Sequence, residues 1–274
     1  MKKTLILLAL CLLSPVRTMW AQEADSSATA PVAVSAAAGV DAQAVATMAA
    51  AAQADYDAEH YAAAIEAYEA IAAQVGVSAD LYYNLAGAYH KQKQYARAIL
   101  NYESCLLLDP SNGDARVNLE LAQMQTTDKI ESITPPVFVV WSHALRDTMS
   151  ASAWSWTAIG LFLLFVLGLS AYFFVRRVAV RKVGFYGSLL AIACCGVAIH
   201  YASAQNDRLT LRSDAIVMTP TVTVRSSPAE SGTQLVPLHE GTKVHVRQTL
   251  GGWSEIELSD GNVGWLPSAD LEII

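Results

Sequence analysis

Two long apolar runs, residues 153–175 and 183–204, are separated only by the basic stretch RRVAVRK. Each run is about 22 residues, or about 33 Å as a helix, enough to cross the hydrocarbon core of a bilayer. Neither contains a charged residue apart from His200, near the end of the second. Helices of a soluble core rarely run this far without a charge. The chain is therefore expected to be a multidomain membrane protein built around a transmembrane helical hairpin. Arg176, Arg177, Arg181 and Lys182 crowd the connection at 176–182. By the positive-inside preference that loop stays in the cytoplasm, and the segments on both sides share the opposite compartment.

The N-terminus agrees with export. Met1, Lys2 and Lys3 form a basic start, followed by an apolar stretch to Leu13. Residues 1–21 read as a signal peptide, with cleavage after Ala21 leaving Gln22 first. Met19 stands where a small residue is preferred, so an uncleaved anchor is the alternative; it leaves the topology unchanged. A lipoprotein reading is weaker, because Leu10 precedes Cys11. The chain is 53% hydrophobic and 16% charged. Of its four cysteines, Cys11 lies in the signal segment and Cys194 and Cys195 in the second apolar run. Only Cys105 remains for the exported parts, so no disulfide framework is available to them. Residues 22–128 hold 14 acids and 4 bases, a net of −10. Such a surface repels nucleic acid and anionic headgroups.

Residues 22–45 are rich in Ala, Ser and Val and lack the large side chains a core needs, so they read as a flexible leader. After them comes an internal repeat. Tyr61, Ala64, Ile65, Tyr68 and Glu69 recur at Tyr95, Ala98, Ile99, Tyr102 and Glu103, all five displaced by the same interval. A period of about 34 residues belongs to helix–turn–helix tetratricopeptide repeats. The second copy carries the wider pattern at Tyr82, Leu85, Ala86, Tyr89, Ala98, Tyr102 and Pro110. Ala86 and Ala98 let two helices approach, the aromatics fill the space around them, and Pro110 stops the second helix. The first copy is degenerate, with Met48 and Ala51 at the large positions. Residues 114–125 restart the first-helix pattern, Asn118 and Leu119 matching Asn84 and Leu85, and read as a capping helix. An all-α helical repeat with its cap is thus expected over 46–127. Its groove face, Tyr83, Asn84, Gly87, His90, Lys91 and the adjacent Asn118, is the candidate protein-binding surface. A clamp for a C-terminal carboxylate does not transfer, since Asp114 and Asn118 stand where such a clamp needs basic groups.

The connector 128–152 contains Pro135 and Pro136, which stop any helix from above. Beyond them Val137, Phe138, Trp141, Leu145 and Met149 fall near helical spacing. Two readings stand: a helix lying in the membrane interface with Trp141 and Trp154 at headgroup depth, or an irregular linker. Within the second apolar run, Gly184, Ser188, Ala191, Cys195, Ala198 and Ala202 are all small and share one helical face. Such a seam permits close helix approach in lipid, either within the hairpin or against a partner's helix. A linker is expected over 205–214.

Residues 215–274 show short alternating runs divided by turn residues at Gly241, Gly251, Gly252, Asp260 and Gly261. Val222, Val224, Val244, Val246, Ile256 and Leu258 alternate as one buried sheet face requires. The segments TVRSSP, EGTKV, GWSEI and DGNVGWL resemble the signature of the bacterial SH3 family, which implies a small all-β SH3-like barrel. Such domains bind peptides or cell-wall material. Trp253 is the candidate ligand-facing side chain and Trp265 the expected core residue.

The order of parts, with DKIE, the basic hairpin turn and LHEGTKV, resembles the BatE family of the Bacteroides aerotolerance operon. That resemblance implies an envelope protein, and with the basic loop in the cytoplasm the expectation is a two-pass inner-membrane protein with both soluble domains in the periplasm. The resemblance also implies neighbours that are membrane proteins with von Willebrand-type domains and a MoxR-type ATPase. It implies no molecular activity. Among the residues there is no G-x-x-x-x-G-K-[ST], H-E-x-x-H or G-x-S-x-G motif. His60, His90, His143, His200, His239 and His245 are scattered, and no metal or cofactor site is expected. The leading expectation is a non-enzymatic membrane-anchored scaffold with two interaction domains. The alternatives are a peptidoglycan receptor acting through the C-terminal domain, or a wall-modifying enzyme, for which isolated Cys105 is the only exported thiol.

Overall fold

Five short helices, joined by turns that recur at the repeat interval, open the described residues. The computed structural model describes residues 42–130 and 135–274. The expected signal peptide at 1–21, the leader as far as residue 41 and connector positions 131–134 lie outside the described residues. The helices are α1 Ala42–Asp57, α2 Tyr61–Val75, α3 Ala79–Lys91, α4 Tyr95–Leu108 and α5 Gly113–Gln123. Between the helices of each pair, Glu59 and Lys93, one repeat period apart, adopt the same left-handed conformation, at φ 63° and 62°. Between pairs, the side chains of Ser78 and Asn112 accept hydrogen bonds from the backbone N–H of Leu81 and Ala115. These caps satisfy N–H groups that the first turn of a helix leaves open.

The apolar and small positions of the repeat form the core. Ala64, Ala86 and Ala98 have no exposed surface, and Tyr68 and Tyr102 are buried beside them. Val45 and Ala52 of α1 belong to the same cluster. Among the described residues the helical array therefore takes in Ala42 onward, and Val45, read as the end of a leader, is a core residue.

Two antiparallel helices follow a short helix α6, Val137–Arg146. They are α7, Ala151–Phe174, and α8, Val178–Leu211. Both are long and apolar enough to cross a membrane, with mean hydropathy of 2.2 and 1.8 over their most apolar windows. At 34 residues, α8 is about 51 Å long, longer than a hydrocarbon core is thick. It takes in most of the basic 176–182 segment and much of the expected linker 205–214, because no Pro or Gly pair interrupts either. Where α7 and α8 cross, a Cβ on Gly184 would lie 2.7 Å from the carbonyl oxygen of Gly168, and one on Gly168 2.9 Å from that of Gly184. Only glycine permits that backbone approach. Ser188, Ala191, Cys195 and Ala198 are buried along the same line, and the Cys195 thiol donates to the carbonyl oxygen of Ala158 at 3.4 Å. The small-residue seam thus closes the hairpin on itself, with Ala202 half-buried at its end.

The C-terminal residues form one antiparallel sheet of β1 Asp214–Val217, β2 Thr221–Arg225, β3 Gln234–His239, β4 Lys243–Leu250, β5 Trp253–Glu257, β6 Val263–Pro267 and β7 Leu271–Ile273. The strand order is β3-β2-β6-β5-β4-β1-β7. β3 and β7 are edges that do not pair, so the sheet is open rather than a closed barrel. Val222, Val224, Val244, Ile256 and Leu258 face one core together with Ala215, Val217, Leu238 and Leu266, and Val246 packs at its margin. The expectation for Trp265 needs correction. The burial of β6 alternates so that Gly264 and Leu266 point inward, while Trp265 lies on the opposite face, half-buried.

The helical repeat and the sheet pack on each other although the connector and the whole hairpin separate them in sequence. Ile216 and Ile274 are buried in the core of the repeat, and each such side chain contributes about 1.5–3 kcal/mol. The Lys243 ammonium donates to the Glu103 carboxylate of α4 at 2.8 Å and lies 3.2 Å from Asp214, which also meets His245 at 2.9 Å. Asp128 accepts three hydrogen bonds or close polar contacts from the sheet: the His239 backbone N–H at 2.7 Å, the His239 ring at 2.7 Å and the Thr242 hydroxyl at 2.8 Å. The repeat explains why Glu103 is available. Its counterpart Glu69 accepts from the Tyr89 hydroxyl of the following first helix. One repeat beyond Tyr89 stands Gln123, so Lys243 of the sheet becomes the partner of Glu103 instead.

Candidate partner-binding groove

The first helices of the pairs, α1, α3 and α5, bring one row of side chains together. A Cβ on Gly87 would sit 3.6 Å from the Tyr56 hydroxyl and 3.9 Å from that of Tyr102. Tyr83 tilts against Tyr102 with ring centroids 6.1 Å apart, and the Asn118 amide donates to the Tyr83 hydroxyl at 3.2 Å. Gly87 thus keeps a shallow floor between three tyrosines. Burial, seconded by nearby Tyr61, raises the Tyr56 pKa, and burial followed by Asp114 raises that of Tyr83. Both phenols are neutral hydrogen-bond donors at neutral pH.

Of the sequence candidates, Tyr83, Gly87 and Asn118 meet here, half-buried, and Lys91 is exposed at the end of α3. His90 is half-buried rather than free, its ring 5.6 Å from that of Tyr95. Burial first, and Lys91 second, lower its pKa. Asn84 does not line the groove: it is 1% exposed, packed among the core positions of α3. On a helix it lies about 100° from Tyr83, which turns it from the open face toward the neighbouring helices.

Three residues of the groove escaped the sequence reading. Val117, Leu121 and Met124 on and just beyond α5 are 57%, 45% and 61% exposed. They stand one repeat period after Tyr83, Gly87 and His90. The repeat interval itself carries the signal, since it maps the groove positions Tyr83, Gly87 and His90 onto all three. They add an apolar strip beside the tyrosines, bordered by the exposed carboxylates of Asp114 and Glu120.

A second candidate, Trp253, is half-buried on the sheet. It pairs with Pro267, and its neighbour Glu255 pairs with Trp265. Trp253 and Trp265 therefore share the face away from the sheet core, diagonal to one another. The Cys105 thiol has no exposed surface, and burial pushes its pKa up to about 12. His239 and His245 turn to Asp128 and Asp214 respectively. Among the described residues no three His, Cys, Asp or Glu side chains converge to hold a metal ion.

A family model described as a tetratricopeptide repeat matches residues 79–112. The chain contains a tetratricopeptide repeat. The matched segment is α3 and α4, the pair that supplies Tyr83, Gly87, His90 and Tyr102. No curated protein and no solved structure matches the chain.

Proposed function

We propose that this protein is a membrane-anchored scaffold that holds a protein partner in the groove of its helical repeat. The observation that carries the reading is the exposed strip Val117, Leu121 and Met124 beside Tyr83 and Gly87. An exposed apolar strip of this kind marks a surface meant to be covered. Tyrosine hydroxyls beside it supply direction through hydrogen bonds. Packing of the repeat against the sheet supports the hairpin topology, since chain before α7 and chain after α8 can meet only in one compartment. The basic residues at the α7–α8 turn favour the cytoplasm for that end, and the resemblance to BatE favours the periplasm for the soluble body. By the same resemblance the partners are membrane proteins with von Willebrand-type domains, and the open sheet is the counterpart of an SH3-like domain.

The test is site-specific photo-crosslinking of the full chain in native membranes from Leu121 and from the exposed Arg116, which lies on a different face of α5. Adducts with a discrete partner are expected from Leu121, absent from Arg116 and lost on Val117→Glu. Equal adducts at both sites would reject the groove. Reporter fusions after Leu121 and Ile274 should report export, and one after Arg181 should not. A second reading, a receptor for cell-wall glycan, draws on the shared face of Trp253 and Trp265. It predicts retention of the full chain on purified sacculi that Trp253→Ala abolishes and Val117→Glu leaves intact.

A further inference from the structure

We propose that α6 is an in-plane helix of the lipid interface that sets the depth of the hairpin in the bilayer. This rests on the reading of α7 and α8 as membrane-spanning. The helix Val137–Arg146 has no buried residue, yet it is held firmly. Ser142 and Tyr201 of α8 share a hydrogen bond at 3.2 Å. The Gln205 amide donates to the carbonyl oxygens of Arg146 and Met149, each at 2.8 Å, and the Trp154 indole donates to the Arg146 carbonyl at 2.9 Å. Trp154 is thereby inside the protein, packed against Tyr201.

The amphipathic character of α6 is inverted. Ser142 on its polar side bonds Tyr201 of α8, and Arg146 pairs with Asp147 at 2.7 Å, itself 3.9 Å from Arg208 of α8. Phe138, Trp141 and Leu145, on one helical face, turn outward, the first two 72% exposed. A helix whose polar side is used for docking and whose apolar side faces out is stable only if something apolar covers it. The position of α6 names the cover. Ser142 docks at Tyr201 and the Arg146 carbonyl at Gln205, where α8 passes from apolar residues to Asn206, Asp207 and Arg208. From Lys182, the last basic residue of the turn, to Tyr201 the helix rises about 29 Å, one hydrocarbon thickness. Near this level α7 exposes Trp156 and Ile159, and Trp is enriched at such a depth. Residues 137–147 carry one Arg, one Asp and one His, so burial of apolar surface and not attraction to anionic lipid holds the helix down.

The test uses the full chain with Cys194→Ala, in vesicles of neutral phosphatidylcholine. Spin labels replace Phe138, Trp141, Leu145 and His143 one at a time, with Leu163 as the hairpin control. Accessibility is measured to oxygen, which concentrates in lipid, and to a nickel chelate, which stays in water. The proposal expects oxygen access with nickel protection at 138, 141 and 145, shallower than at 163, with nickel access at 143. Adding anionic lipid should change nothing. Nickel access at 138, 141 and 145 with a deep 163 would overturn the interfacial helix and leave the hairpin standing. Nickel access at 163 would overturn the hairpin itself. Protection from both reagents at 138 and 141 would mean that a protein surface or a second copy covers the face, and would equally reject lipid.

Discussion

Gly241 lies where the sheet packs against the helical repeat. It lies at φ 86°, where an L side chain is strained. A Cβ there would fall 2.7 Å from Thr126 Cγ2, 3.2 Å from Ile99 Cδ1 and 3.7 Å from Ala96 Cα. Gly241→Ala therefore combines two costs. The left-handed conformation costs roughly 1–2 kcal/mol. Overpacking adds about 1–3 kcal/mol, because Ile99 is fully buried and cannot turn aside. A control separates the two costs. Gly252 has φ 82°, but a Cβ there would meet nothing within 4 Å, so Gly252→Ala should lose only the roughly 1–2 kcal/mol of backbone strain. Thermal unfolding of the full chain in detergent should place Gly241→Ala clearly below Gly252→Ala. Protease cleavage near Thr126 should quicken only in Gly241→Ala. Equal losses, with no change at Thr126, would refute the packing of the sheet on the repeat.

Ala98 is fully buried where α4 meets its neighbours, so Ala98→Trp should cost about 1–3 kcal/mol or more by overpacking, whereas His90→Ala, at a half-buried groove position, should cost about 0.5 kcal/mol or less; thermal melts of both variants check this. Ala191 is buried in the α7–α8 seam and Ile192 is 38% exposed, so Ala191→Leu should weaken the hairpin, seen as faster proteolysis in detergent, while Ile192→Leu should behave as wild type. Burial pushes the Asp128 carboxyl up, but hydrogen bonds from the His239 N–H, the His239 ring and Thr242 outweigh it and hold its pKa below the usual carboxylate value. Its contribution is therefore complete above about pH 4, the unfolded value, and is lost as pH falls through the depressed folded value. Asp128→Asn should lower stability by about 1–3 kcal/mol at pH 7 and flatten the acid limb of a melting-temperature profile, with Asp214, also depressed by Lys243 and His245 against its own burial, supplying what acid dependence remains.

Local periodicity made much of this chain legible. The constant repeat shift located the helical array because each core position is set by packing against residues close in sequence. The same rule applied to Tyr83, Gly87 and His90 would have found Val117, Leu121 and Met124. Strand alternation identified Val222, Val224, Ile256 and Leu258 as inward-facing for the same reason. Trp265 was misplaced because a large aromatic reads as core by type, while the pleat of β6 gives the inward positions to Gly264 and Leu266. Asn84 was misplaced because a step of one residue on a helix turns a side chain by about 100°.

The sequence by itself determined the helical repeat, the two apolar helices with their basic turn, the small-residue seam and the alternating strands. Each depends on spacing within a single element or between neighbours in the chain. Only the tertiary structure decided what those elements face. The seam closes α7 on α8, through the backbone contact of Gly168 and Gly184. The polar side of α6 turns to α8 and its apolar side outward. Glu103, Asp128 and Gly241 join the repeat to a sheet that begins at Asp214, after the hairpin has returned the chain. These partners are brought together by chain reversal across the whole hairpin, a separation at which no periodic pattern records which side chain will meet which.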